Sequence, residues 1–371
     1  MTARPLIIIV ENAVDVTGSL VSSIRTANLL RETFNFLFVL PSGSKAGQLV
    51  RTNGHQVKEI AMKELSRNPW ANLKYVFSLS INTITFRRFL RKSKPVLIVN
   101  NDFYNLLPVA YRGLGGKVPY ICFVRFLPNR FPKLLVRIWY SSHLRYASKI
   151  VAVSQAVYNQ LPFDDKLTVV YNELPVKTVE LSAPSGHLIL CPGNYITGKG
   201  HNFALEAFNN VAQRYPEWRL RFVGGDMGLE KNRLYKSKLQ KSAQDLGLLD
   251  RIEFLSFSSN LGEHYLEAAL VLNFSESESF SLTTLEAQFY GRPVIATRCG
   301  GPEEIVSDGE TGILVPVRDV EAMTKAIERL ISSSELREKM GKSGYSHVRE
   351  KFSHENTIEK LAEIFHSAIK K

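Results

Sequence analysis

The sequence reads as an α/β protein of two doubly wound domains, each a parallel sheet with helices on both faces, facing a common cleft. Three observations carry this expectation. Short β-branched or aromatic runs recur between helical patterns, the alternation of parallel strands and their crossovers. The runs are apolar almost throughout, as strands covered on both faces must be. A chain of 371 residues is also about two domains long.

In the first half the strand candidates are Leu6–Val10, Phe36–Leu40, Val96–Val99, Tyr120–Val124, Ile150–Val153 and Leu167–Tyr171. Leu73, Val76, Phe77, Ile81 and Ile84 fall at helical spacing and run into Arg87, Arg88, Arg91, Lys92 and Lys94 before Pro95, where cations offset the negative end of a helix. From Arg130 to Tyr146 a second helix is expected, with Pro132 at its start and Lys133, Arg137 and Arg145 along one stripe. Its other face carries Leu134, Leu135, Ile138, Trp139 and Tyr146. A basic amphipathic helix of this kind suits a lipid headgroup layer.

Glu173–His187, rich in Pro and Ser, reads as the linker. The expected domains are 1–180 and 181–351, with 352–371 a helix packing back on the first. In the second half the strand candidates are Leu188–Cys191, Leu220–Val223, Ile252–Leu255, Val271–Phe274, Val294–Thr297 and Gly312–Val315. Gly291 suits a left-handed helix end and Pro293 forbids continuation, so a helix is expected from Leu282 to Tyr290, capped by Ser281. Ile358, Leu361, Ile364 and Phe365 give the last segment its helical pattern.

Residues 1–180 hold 24 Lys and Arg against 10 Asp and Glu, so the first half carries the whole formal net charge of +12. Between Glu64 and Asp164 the only acid is Asp102. Such a field attracts phosphate-bearing partners: nucleic acid or an anionic membrane. No nucleic-acid recognition motif is present, so none is expected as a partner. Glu11 closes the N-terminal apolar stretch too early for a secretory segment, and the expectation is a cytoplasmic protein, peripheral on the membrane. Cys122, Cys191 and Cys299 are scattered, which suggests buried thiols rather than disulfides or a metal site.

Ligands of open α/β sheets bind beyond the carboxyl ends of the strands. After Leu188–Cys191 comes Gly193-Asn-Tyr-Ile-Thr-Gly-Lys-Gly200, nearly a P-loop. Gly200 stands where a Ser or Thr hydroxyl would hold magnesium, so what remains is a glycine-rich turn with Lys199 as a metal-free phosphate contact. After Val271–Phe274 comes Glu278, then the helix start, whose free N–H groups suit a diphosphate. Glu286 lies about 7 Å along that helix at about 1.5 Å per residue, a suitable reach for ribose hydroxyls. No Asp-x-Asp has the strand context of a metal-binding transferase, and no metal or cofactor is expected.

The stretches ESFSLTTLE, GRPVIAT, GGPEEIV and GILVPVRD, in that order, resemble the retaining nucleotide-sugar glycosyltransferases of the GT-B fold, specifically the large group-1 family that includes mannosyl-, glucosyl- and N-acetylglucosaminyl-transferases of surface glycans. The resemblance implies two Rossmann-like domains and a nucleotide-diphosphate sugar as donor. It implies Lys199 and the amides of Phe280, Ser281, Leu282 and Thr283 on the diphosphate, Glu286 on the ribose and Glu278 on the donor sugar. Gly18 would let a loop of the first domain approach the distal phosphate. The acceptor would be a saccharide or lipid-linked.

Three departures stand out. Asn194 replaces the arginine that usually partners the lysine, Ser281 replaces a glycine, and Arg125 replaces a histidine, so that Arg125 is expected to give cationic help to diphosphate or acceptor. A nucleotide-sugar 2-epimerase of the same architecture, a basic nucleic-acid-binding protein and a non-catalytic relative are the competing readings.

Overall fold

The computed structural model describes residues 4–62, 69–174, 179–258 and 260–370. The chain divides into two compact units, residues 1–173 with 354–371, and residues 174–353.

The first unit comprises β1 (Leu6–Val10), α1 (Gly18–Leu29), β2 (Asn35–Pro41), α2 (Ala46–Thr52), β3 (Gln56–Ile60), α3 (Pro69–Ser93), β4 (Leu97–Asn100), α4 (Leu107–Gly113), β5 (Tyr120–Val124), α5 (Lys133–Tyr146), β6 (Lys149–Ala152), α6 (Gln155–Tyr158) and β7 (Leu167–Val169). The second begins with β8 (Leu188–Pro192), α7 (His201–Ala212), β9 (Arg219–Val223), α8 (Glu230–Asp245), β10 (Ile252–Leu255), α9 (Leu261–Glu267) and β11 (Leu270–Asn273). It continues through α10 (Leu282–Phe289), β12 (Val294–Thr297), α11 (Pro302–Ile305), β13 (Gly312–Val315), α12 (Val320–Ile331) and α13 (Ser334–Lys351). The last helix, α14 (His354–Ile369), returns to the first unit.

Both sheets are parallel. Their strand orders are β3-β2-β1-β4-β5-β6-β7 and β10-β9-β8-β11-β12-β13. In each, the order reverses beside the first strand, at β1/β4 and at β8/β11, which opens a crevice at the strands' carboxyl ends. The continuous apolar runs do become strands covered on both faces: every residue of β5, β11 and β12 is buried.

Three expectations are corrected. β3 was absent from the strand candidates. It is an edge strand with mostly exposed side chains (QVKEI), so it never shows a continuous apolar run. The units part at 173/174 and 353/354 rather than 180/181 and 351/352. The linker's end already belongs to the second unit, where the buried Arg292 donates to Ser182 Oγ at 2.8 Å. Phe352 also stays there, its ring 5.5 Å from that of Phe280. Cys122 and Cys191 are buried, but Cys299 is only half-buried.

Candidate functional site

The site is built on two loops at the β8/β11 switch point of the second sheet. After β8 the chain turns through Gly198 (φ 94°) and Gly200 (φ 77°) into α7. A Cβ on Gly200 would stand 2.0 Å from the carbonyl oxygen of Phe274, just past the end of β11. That near-contact explains why the P-loop hydroxyl position is glycine, since any side chain there would drive the two loops apart. Glu276 N donates to Gly198 O at 2.8 Å and fastens the loops a second time.

This fastening brings Lys199 to Glu278, 79 residues away. Lys199 Nζ donates to Glu278 Oε1 at 2.7 Å, and Ser275 Oγ donates to the same oxygen at 2.7 Å. Glu278 Oε2 has no hydrogen-bond partner among the described residues. The backbone of Glu278 is pinned as well: its N–H donates to Cys299 O, and its carbonyl accepts from Gly301 N at 2.8 Å. Gly301 must be small, since a Cβ there would lie 2.2 Å from Phe280 Cα. The Cys299 thiol is pushed up to about 12, chiefly by burial and then by the Glu278 carboxylate.

Ser281 caps α10 and accepts from Thr284 N at 3.3 Å. Its φ of 83° lies in the left-handed region, the physical reason for glycine at the corresponding place in the resembling family. Asn273, the last residue of β11, donates through Nδ2 to Ser281 Oγ at 2.6 Å and to Thr284 Oγ1 at 3.1 Å. The amides of Leu282 and Thr283 follow in the first turn, where no intrahelical acceptor exists. Glu286 is buried, with Tyr265 Oη 3.3 Å from its Oε2 and 3.3 Å from Thr283 O. Asn194 Oδ1 accepts from Gly225 N at 3.0 Å, so the amide holds the loop after β9.

Lys199, Glu278, Phe280, Ser281, Leu282, Thr283, Glu286 and Asn194 thus lie on the second unit, most of them on two joined loops. Gly18 and Arg125 lie on the first. Gly18 opens α1, whose start is capped by Thr17. Arg125 is buried directly after β5 and donates to Asn101 Oδ1 (2.6 Å), Asn172 Oδ1 (2.9 Å) and Ser22 Oγ (3.2 Å). Burial lowers its affinity for the proton, and Glu173, Glu11 and Asp102 act against that. Each of these three carboxyls is itself raised by burial. Asn273, Ser275 and Tyr265 were not anticipated. The first two sit at a strand's carboxyl end, where a polar residue closing an apolar run is the available signal. Tyr265, on α9, gives none.

Residues 177–347 match the family model described as Glycosyl transferases group 1. An exopolysaccharide phosphotransferase of Streptomyces coelicolor is 32% identical over 182 residues, covering 48% of this chain and 19% of that protein. A D-inositol 3-phosphate glycosyltransferase of Corynebacterium urealyticum is 34% identical over 175 residues, 46% of this chain and 40% of that protein. The chain therefore spans less than half the length of either. Among solved structures, Anabaena HepE in complex with UDP and glucose superposes with a TM-score of 0.83 at 19% identity, over 98% of this chain and 100% of that one. The architecture is that of the GT-B glycosyltransferases.

Proposed function

We propose, from the match of residues 177–347 to the family model of glycosyl transferases group 1, that the chain is a hexosyltransferase. It moves a sugar, with retention, from a nucleoside-diphosphate donor to a saccharide or lipid-linked acceptor in surface polysaccharide or glycolipid synthesis. The observation that carries the reading is the Lys199–Glu278 pair, 2.7 Å apart, made between the loop before α7 and the loop that leads into the N-terminus of α10. A cation, free amides and a half-engaged carboxylate converge where a diphosphate and its sugar would sit. The complex of HepE with UDP and glucose supports a nucleotide donor.

In this reading, negative charge grows on the departing diphosphate as the anomeric bond breaks. Lys199 and the amides of Leu282 and Thr283 are already oriented to meet it, so little reorganisation opposes the transition state. The acceptor hydroxyl attacks from the same face and gives its proton to the leaving phosphate oxygen, which balances the step without an enzyme nucleophile or a cofactor. Glu278, anchored through Oε1, presents Oε2 to a donor-sugar hydroxyl. Glu286, steadied by Tyr265, takes the ribose. Gly18, exposed at the start of α1, leaves the first unit's loop without a side chain at that point. Arg125, already bonded to three side chains, is assigned as a positioning residue on the acceptor side. The acceptor's membrane places the protein at the cytoplasmic leaflet.

A thermal-shift panel of UDP, GDP and ADP with their sugars tests the donor, because a ligand of the native state raises the melting temperature. One nucleotide series is expected to stabilise the chain. Glu278→Ala is expected to lower transfer at least 100-fold while the free nucleoside diphosphate still binds. Transfer at the wild-type rate by Glu278→Ala would defeat the assignment.

A further inference from the structure

The first unit carries an apolar surface that its own fold leaves uncovered. On α3, Phe77 is 70% exposed and Ile81 and Ile84 are each 50% exposed. At spacings of four and three they form one outward stripe. On α5, Leu134 is 68%, Ile138 47% and Leu135 40% exposed. The two helices flank α4, which packs against both, and Arg87 of α3 donates to Leu114 O at the end of α4 at 2.8 Å. Helices α4 and α5 each join adjacent parallel strands, and α3 crosses from the edge strand β3 past β2 and β1 to β4; all three connections run in one direction along the sheet, so right-handed crossovers put them on the same face. Ile81 and Leu134 are each twelve residues from the ends of their helices, at Ser93 and Tyr146, so the stripes stand about level.

The charges carried by α3, α4 and α5 themselves have one sign. Arg88, Arg91 and Lys92 follow the α3 stripe, and Lys133 and Arg137 interleave that of α5, all exposed. From residue 69 to residue 163 the only acid is Asp102, and it is buried. This layer therefore offers no carboxylate to water. Aliphatic side chains among cations, with no anion, match the boundary between acyl chains and anionic headgroups. A protein partner of ordinary mixed charge would leave these cations unpaired.

We infer that the α3–α5 face is the docking surface for an anionic lipid bilayer, entered by two parallel apolar stripes rather than by α5 alone. The inference rests on the acceptor reading above and names the partner of that side of the molecule. No helix among the described residues is long and apolar enough to cross a membrane, so docking here is by insertion of side chains.

Sedimentation with vesicles tests it. The full chain is expected to pellet with phosphatidylcholine vesicles containing phosphatidylglycerol, but not with phosphatidylcholine alone, and to be released by high salt. Ile81→Glu and Leu134→Glu are each expected to weaken vesicle affinity at least ten-fold with unchanged melting temperature. Leu266→Glu, at another exposed leucine (40%) on the second unit, is expected to have no effect. Three results would each overturn the inference: no preference for anionic lipid, wild-type binding by both α3 and α5 variants, or a self-association or tight nucleic-acid binding that the same variants abolish. Nucleotide binding measured without lipid separates the two proposals. Its absence in the wild type would defeat the transferase reading and leave the vesicle result standing.

Discussion

Ser281 holds a side chain in backbone geometry that costs an L-residue about 1–2 kcal/mol, at φ 83°. Its hydroxyl offsets that cost, because Asn273 donates to it at 2.6 Å and it caps Thr284 N. The serine and the asparagine should therefore be energetically coupled. Asn273→Ala is expected to lower the melting temperature by several degrees and weaken nucleoside-diphosphate binding about ten-fold. In a Ser281→Gly background the same change should cost less than half as much, because the hydroxyl that needed the donor is gone. Equal losses in both backgrounds, measured as a double-mutant cycle, would show the two side chains to be independent. Ser281, Glu278 and Glu286 were legible in the sequence because they occupy one strand-loop-helix stretch. The lock between Lys199 and Glu278 was not, since it depends on Gly200 packing so close to the end of a different strand that a Cβ there would stand 2.0 Å from Phe274 O.

Helix α10 was legible to within a residue because Ser281, Gly291 and Pro293 punctuate it, and the inner strands because they are buried on both faces. Edge strand β3 lacked that pattern. The α3 repeat was legible as a helix, but periodicity cannot say which way a stripe faces, and Phe77, Ile81 and Ile84 turn outward. Helix α7 carries a different consequence. His201, at its first position, is buried against the rings of Tyr195 and Phe222, and burial lowers it from 6.5 to about 4. The unfolded chain then binds more protons than the native one between those values, so stability is complete above about pH 6.5 and is lost as pH falls towards 4. The full effect is on the order of 3 kcal/mol. His143 acts in the same direction in the first unit, while the raised carboxyls Glu11, Asp102 and Glu173 act oppositely. Unfolding free energies of the wild type minus those of His201→Asn isolate this residue. Their difference should change with pH between 6.5 and 4, and a flat difference would contradict the assignment.

The division of the chain turns on α14, which follows the second unit in sequence but packs in the first. It lies on β4 and β5, with the Phe365 ring 6.0 Å from that of Phe34. Removing residues 354–371 should therefore strip amide-exchange protection from β4 and β5 and leave β8, β11 and β12 protected. Equal loss in both sheets would refute that separation. The second unit is one unbroken stretch of chain, whereas the first is assembled from both ends. On the ribosome, the second unit can close as soon as its own residues emerge, but the first must wait with Phe34 uncovered until α14 arrives. The portion made first is the portion finished last.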